Sequence, residues 1–283
     1  MKGDFTTGSA HLMDFWGWMN TRHSIFLARK RGEPKPWTRD KIFQTYKFTN
    51  VFRQLDKTTV ALHKNILDKG KDESLELVLF NVVWFRMFGY IDATNIGFVK
   101  SFSQLEKSLN KMVSNGEQIF TGAYMSVGLE LGVPKHKSYL EVLEDFWEFR
   151  FEALDIIMSG NTLEAAFDLL LNMRAVGNFL AYEMACDLRF TGVLSNATDT
   201  LSWTNIGPGA KRGLQRLGLD VNLETMKGLY DLAYREEYFK YAKDSQAGVL
   251  FELREIEHSL CEFDKYQRIL RGEGRTKGRY PGI

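Results

Sequence analysis

Two rows of side chains have types and spacing that could do chemistry. Between Leu250 and Ile269, Arg254, His258, Cys261 and Lys265 fall at offsets of four, three and four residues. On a helix that spacing is one line, and Glu257 and Glu262 flank it. A guanidinium, an imidazole, a thiol and an ammonium in register suit an anion that departs during a reaction, because positive charge then meets the negative charge that builds. The structural alternative is a helix histidine and a small core cysteine. The second row is Glu183 and Asp187, four apart, where the apolar stripe of Val176, Phe179 and Leu180 would otherwise continue. Held close together, one of the two acids could accept a proton. Partnership with Arg174, Arg189 or a helix cap is the alternative there.

A third feature points to a polyanion. Ile206-Gly207-Pro208-Gly209-Ala210-Lys211-Arg212 reads as the turn of a helix-hairpin-helix element spanning 199–217. Gly207 and Gly209 would allow positive φ and close approach of a phosphate, and the following helix would offer its N-terminus. Lys211 and Arg212 add charge behind the turn. Between Arg22 and Lys41, seven basic residues meet two acids, a net charge of +5, and the segment Lys265–Arg279 is likewise +5. Arg268 and Arg271 belong to that second segment, within a basic tail over 265–283. Such density suits phosphates, whose counterions are released on binding, although a solvated surface would look the same. No Gly-x-x-x-x-Gly-Lys-Ser/Thr loop, His-Glu-x-x-His, Cys-x-x-Cys or Gly-x-Ser-x-Gly is present, which removes P-loop, zinc-enzyme and esterase readings.

The elements that must position these residues are helices. Leu75, Val78, Leu79, Val82, Val83 and Phe85 predict a nearly all-round apolar helix, the kind found inside a bundle. Leu140, Leu143, Phe146, Trp147 and Leu154 repeat the period with acids between them, and Leu163, Ala166, Phe167 and Leu170 follow. Thr38 is expected to cap a helix running from Arg39 towards Val51, with Asp40 in its first turn. Asn161 is expected to cap the helix after it, with Glu164 as capping-box partner. No alternating strand pattern is present, and the patch at Gln118–Phe120 is too short for a sheet. The fold class is all-α: one helical unit over 1–283, with room for two lobes. Over 283 residues, 37 basic and 36 acidic side chains nearly cancel, and 44% hydrophobic content supports a packed core. Apolar runs stop short of a membrane span, and no cleavable signal is expected. Two cysteines cannot build a disulfide framework, so a reducing cytoplasm is the expected compartment.

A set of segments resembles a known family. These are Asn20-Thr21-Arg22, Pro36-Trp37-Thr38, Phe120-Thr121-Gly122-Ala123-Tyr124, Phe179-Leu180-Ala181-Tyr182-Glu183, Trp203 to Leu214, and Ile256-Glu257-His258-Ser259-Leu260-Cys261-Glu262. Together they resemble the phage amino-acid:DNA transferases, also called α-glutamyl/putrescinyl thymine pyrophosphorylases, from about Trp18 to Lys265. The resemblance implies a helical-bundle enzyme related to the helix-hairpin-helix DNA glycosylases. It also implies thymine hypermodification, in which an amine, glycine on family grounds, displaces phosphate or pyrophosphate from activated 5-hydroxymethyluracil in double-stranded DNA.

On that reading Glu183, Asp187, Glu257, His258 and Cys261 are catalytic, and Arg22, Arg254 and Lys265 hold the leaving group. Thr121, Tyr124 and Tyr182 line the pocket for a flipped base, and Gly207, Gly209, Lys211, Arg212, Arg268 and Arg271 grip DNA. No cofactor or metal ligand set is assigned, with a divalent metal left open. The partners are that DNA and free glycine, without a membrane, in the cytoplasm of an infected bacterium. Two rivals remain. One is a helix-hairpin-helix glycosylase or lyase, for which Asp220 and Asp231 stand in unmatched contexts. The other is a non-catalytic DNA-binding accessory protein.

Overall fold

The computed structural model describes residues 10–121, 132–243, 249–274 and 278–280. Among them the chain is helical without strands: α1 (Ala10–Lys30), α2 (Lys41–Thr45), α3 (Lys57–Asn65), α4 (Leu75–Phe88), α5 (Phe102–Ser114), α6 (Lys135–Gly160), α7 (Leu163–Leu171), α8 (Asn178–Leu188), α9 (Pro208–Arg216), α10 (Leu223–Tyr234) and α11 (Leu253–Leu270). The all-α reading holds. The chain divides into two compact units, one of Met1–Asp56 with Leu201–Ile283 and the other of Lys57–Thr200. No described helix is long and apolar enough to cross a membrane.

The middle unit is built on α4. Every residue from Val78 to Phe88 is buried, as its all-round apolar pattern requires, and α6 and α8 pack on it. Two polar residues interrupt that helix. Asn81 accepts from the Val99 amide (3.0 Å) and Trp84 Nε1 (2.9 Å), and donates to the carbonyls of Leu77 and Val99, so all its bonding capacity is used. Arg86 is the second. The patch at Gln118–Phe120 forms an isolated bridge from Phe120 to Gly89 and stacks Phe120 on Phe88 at 4.9 Å.

Two helix starts differ from expectation. Asp40, not Thr38, is the N-cap of α2: its carboxylate accepts from the amides of Ile42 and Phe43, and Tyr266 OH donates to its other oxygen at 2.6 Å. That helix stops at Thr45, because Tyr46 turns extended and pairs with Arg279. Asn161 adopts a left-handed conformation (φ 45°) and ends α6, while Thr162 caps α7 by accepting from the Ala165 amide at 3.1 Å. Asp199 receives the next two amides, of Leu163 and Glu164, at 2.8 and 3.0 Å. An Asn-Thr pair offers two capping side chains, and the long-range carboxylate selects between them.

The outer unit is built on α11, which packs most closely against α9 and also on α10 and α1. Its core includes Phe15, Trp16, Met19, Phe52, Leu214, Leu229, Phe239, Ile256, Leu260 and Phe263, all buried. The helix-hairpin-helix expectation is corrected here. No helix lies between Leu188 and Pro208, so the first arm of the hairpin is absent. Gly207 has φ −67° and Gly209 is helical, so neither uses positive φ. What these glycines supply is closeness. A Cβ on Gly209 would lie 2.3 Å from Cys261 Sγ, and one on Gly213 would lie 2.5 Å from the Leu260 carbonyl oxygen.

Candidate functional site

The N-terminal half of α11 carries a concentration of buried charge. Its cap is a capping box in which Glu252 is the N-cap and Glu255 the third residue, with the Glu252 amide donating to Glu255 at 2.8 Å. Arg254 is 1% exposed and pairs with both carboxylates, at 3.1 Å to Glu252 and 3.0 Å to Glu255. The Arg53 amide also donates to Glu255. Burial raises the Glu255 pKa, against the pull of Arg254. Charges this deep persist only when paired and hydrogen-bonded.

One turn further on, His258 Nδ1 lies 2.7 Å from the Arg254 carbonyl. A carbonyl can only accept, so Nδ1 carries the proton, and in the uncharged tautomer the lone pair is on Nε2. Glu257 stands beside the ring, 4.0 Å from Nδ1, and accepts from the Gly207 amide at 3.2 Å. A Cβ on Gly207 would sit 3.1 Å from that carboxylate, which explains a small residue at this helix start. Unlike Arg254, the His258 side chain reaches solvent.

Asp56 and Arg22 complete the cluster. Asp56 accepts from the Asn50 amide at 2.7 Å and lies 3.7 Å from Arg53. Burial holds its pKa up to about 6, against the lowering effects of Arg53, the Asn50 amide, His258 and Arg22. Arg22, 6% exposed, donates to the carbonyls of Phe48 and Thr49 and to Asn50 Oδ1. Its Nη1 is buried without a hydrogen-bond partner among the described residues. Burial lowers the Arg22 pKa. A buried guanidinium with an unused donor is a place for an acceptor.

This geometry sets a pH dependence with a definite sign. Between about pH 4 and about pH 6 the folded protein holds a proton on Asp56 that the unfolded chain has lost. Stability therefore falls as pH rises through that window. The shift corresponds to on the order of 2–3 kcal/mol. Asp56→Asn should flatten the slope in chemical denaturation series across that range, and an unchanged slope would remove Asp56 as its source.

The remaining expected residues are distributed as follows. Lys265 donates to the Lys47 carbonyl at 2.7 Å and pairs with Glu262, which accepts from the Thr49 amide. Arg254, His258 and Lys265 thus share a line but not an environment. Cys261 backs onto Gly209, and desolvation, then Glu257, Glu262 and Asp264, push its pKa up to about 12. It holds almost no thiolate at neutral pH, so addition to a pyrimidine ring is disfavoured. Arg212 (2.8 Å), Arg216 (2.7 Å) and Arg268 (3.4 Å) converge on the fully buried Asp264, while Lys211 and Arg271 are exposed.

Glu183 and Asp187 lie in the other unit and share the Arg86 guanidinium. Arg86 pairs with Glu183 at 3.3 Å and with both oxygens of Asp187, and donates to Thr59 Oγ1 at 3.2 Å. Arg174 instead pairs with Glu141, and Arg189 donates to the Ser195 carbonyl. Tyr182 is buried in α8, the Thr121 amide donates to the Phe88 carbonyl at 3.1 Å, and Tyr124 lies outside the described residues. A cleft of about 280 Å³ in this unit is lined instead by α6 and the end of α7, including Phe146, Phe149, Leu169 and Met173.

Sequence reading missed Arg86, Asp56, Glu252, Glu255 and Asp264. Arg86 had a signal: a lone cation in an otherwise apolar helix needs a buried acid, and Glu183 with Asp187 in a second apolar stripe need a buried cation.

Residues 9–276 match the family described as "5-hmdU DNA kinase, helical domain". The 5-hmdU DNA kinase of Bacillus phage SP10 is 28% identical over 297 aligned positions, covering 92% of this chain and 46% of that protein. The chain therefore spans about half the length of the curated relative it matches. No solved structure matches, so a glycosylase-like fold has no support from that side. The resemblance to a phage thymine-modification family holds at that level, and the amino-acid-transferase type does not. The expected reaction is corrected with it. The relative is a kinase, which adds a phosphate, where the expectation had glycine displacing one. For the same reason free amino acid is no longer a partner.

Proposed function

The chain belongs to the family of 5-hmdU DNA kinase helical domains, and from that premise we propose that it is the part of such a kinase that engages the DNA. The observation that carries this reading is the match over residues 9–276, nearly the whole chain. The activity is phosphoryl transfer from a nucleotide such as ATP to the 5-hydroxymethyl oxygen of the modified uracil, in the cytoplasm of a phage-infected cell. The O–H proton leaves, an O–P bond forms, and the bond to the departing nucleoside diphosphate breaks. Phosphoryl transfer asks the protein mainly for positioning and charge stabilisation. No glycine-rich phosphate loop occurs in this sequence, so nucleotide binding is assigned to the part of the relative that this chain does not cover.

Within the outer unit, Glu257 and His258 are the groups assigned to the hydroxymethyl oxygen. The His258 side chain reaches solvent and its Nε2 can accept a hydrogen bond. Asp56 and Arg22 position them by fixing the Phe48–Asn50 loop, the first by accepting from the Asn50 amide and the second by donating to the Thr49 carbonyl and Asn50 Oδ1.

The test is binding of this chain to duplexes that differ only in thymine or 5-hydroxymethyluracil, followed by mass spectrometry of nucleosides after incubation with ATP. Tighter binding to the hydroxymethyl duplex is expected, with phosphorylated nucleoside appearing when the remaining half of the relative is supplied. Equal binding to both duplexes with no product under either condition would overturn the reading. Glu257→Gln and His258→Ala should each erase the preference for the modified duplex, worth about 1–3 kcal/mol for a buried polar contact. Affinity for the thymine duplex should stay unchanged. A preference retained in both variants would move the hydroxymethyl site elsewhere.

A further inference from the structure

Among the described cations of the outer unit two kinds of partner recur. Many cations are held by carboxylates, among them Arg212, Arg216 and Arg268 on Asp264, Arg254 on Glu252 and Glu255, Arg53 on Asp56, Lys265 on Glu262 and Arg31 on Glu33. Others, Lys240 on Tyr241 included, lie over aromatic rings. Arg29 lies 5.3 Å from the Trp37 ring centre, and Lys35 lies 5.3 Å from the same ring and 5.8 Å from Tyr280. Lys47 is 5.8 Å from Tyr280, and Arg279 is 5.2 Å from Tyr46 and donates to its hydroxyl. Arg29, Trp37, Lys35, Tyr280 and Lys47 thus form one continuous row, with Arg279 and Tyr46 beside it. All four cations are exposed, and among the described residues none pairs with a carboxylate.

The backbone beneath this row is fixed. The Lys47 amide donates to the Gly278 carbonyl at 2.8 Å, and the Tyr280 amide to the Thr45 carbonyl at 3.0 Å. Trp37 Nε1 donates to the Glu33 carbonyl at 2.7 Å. A ring orders a cation through its quadrupole without cancelling its charge, whereas a carboxylate does both. An ammonium held on a ring is therefore still a full positive charge for an incoming phosphate. A row of such charges, as opposed to a closed pocket, fits a chain of phosphates better than a single one.

We propose that the ring-held cations Arg29, Lys35, Lys47 and Arg279 form the surface that binds the DNA phosphate backbone, in place of the Lys211–Arg212 turn. This inference rests on the proposed DNA-engaging role and assigns its contact face. It gives a role to Arg29 and Lys35 of the Arg22–Lys41 segment while leaving the α9 arginines to their buried aspartate.

The experiment compares salt titrations of duplex binding for the wild type and three variants of the full chain. Lys35→Gln/Lys47→Gln/Arg279→Gln should lower the slope of log affinity against log salt by about 0.9 for each phosphate that is no longer neutralised, equally for every sequence. Lys227→Gln/Arg235→Gln removes two cations that carboxylates hold and no described ring orders, and should leave the slope unchanged. Trp37→Leu keeps every charge and releases two cations, so affinity should fall while the slope is kept. If the first variant retains the wild-type slope, or the second lowers it as much as the first, the surface is wrongly assigned. A wild-type chain that binds no duplex at all would instead remove the DNA reading itself. Melting curves matched to wild type, expected for exposed side chains, accompany each titration.

Discussion

Arg86→Ala is expected to destabilise the middle unit by about 3–5 kcal/mol, the usual cost of removing one partner from a buried ion pair. Arg86 is 1% exposed, Asp187 is fully buried and Glu183 is 3% exposed. The single guanidinium joins α4 to both acids of α8 and to Thr59 of α3. Without it two buried carboxylates lose the guanidinium that lies between them. A domain is stable by only about 5–15 kcal/mol, so the variant should unfold at much lower urea, or express poorly. The companion variant Arg86→Met/Glu183→Leu/Asp187→Leu removes all three charges and should recover most of the loss, because apolar side chains of similar volume often replace a buried triad. A midpoint for Arg86→Ala within about 1 kcal/mol of wild type would show that the cluster contributes little.

Gly213→Ala should also destabilise, although alanine is the better helix former. A Cβ at this position would lie 2.5 Å from the Leu260 carbonyl oxygen, 3.0 Å from its carbon and 3.0 Å from the Leu260 Cβ. Two of those atoms are backbone of α11, so relief requires α9 and α11 to separate, and these two make the most extensive helix contact among the described residues. Overpacking of this kind costs about 1–3 kcal/mol or more, and helix propensity returns about 1 kcal/mol. A net loss on the order of 2 kcal/mol is expected in thermal or urea melts. Gly17→Ala in α1 is the control. Nothing lies within 4 Å of a Cβ there, so only the propensity gain remains and the melting point should rise. Equal behaviour of the two substitutions would show that α9 can shift at no cost.

Residue order alone carries the helical class, the burial of the helix around Leu79 and Val83, and the presence of chemically unusual residues on α8 and α11. These follow from spacing along the chain, since a 3.6-residue period and a lone acid in an apolar stripe are local facts. It also located the basic segments, whose charge is a matter of composition. Tertiary structure decided what each charge meets. Arg86 and Asp187 stand 101 positions apart, and Arg212 meets Asp264 across 52, so neither pairing leaves a periodic trace. The Gly207–Arg212 segment shows the same limit. A glycine serves equally where a phosphate or a helix backbone comes close, and the difference lies in the approaching group. Lys35 and Lys211 are likewise both exposed lysines in basic segments. Only folding, which brings Tyr280 beside Lys35, separates a cation ordered on a ring from one that is not, because the sequence-distant ring is what orders it.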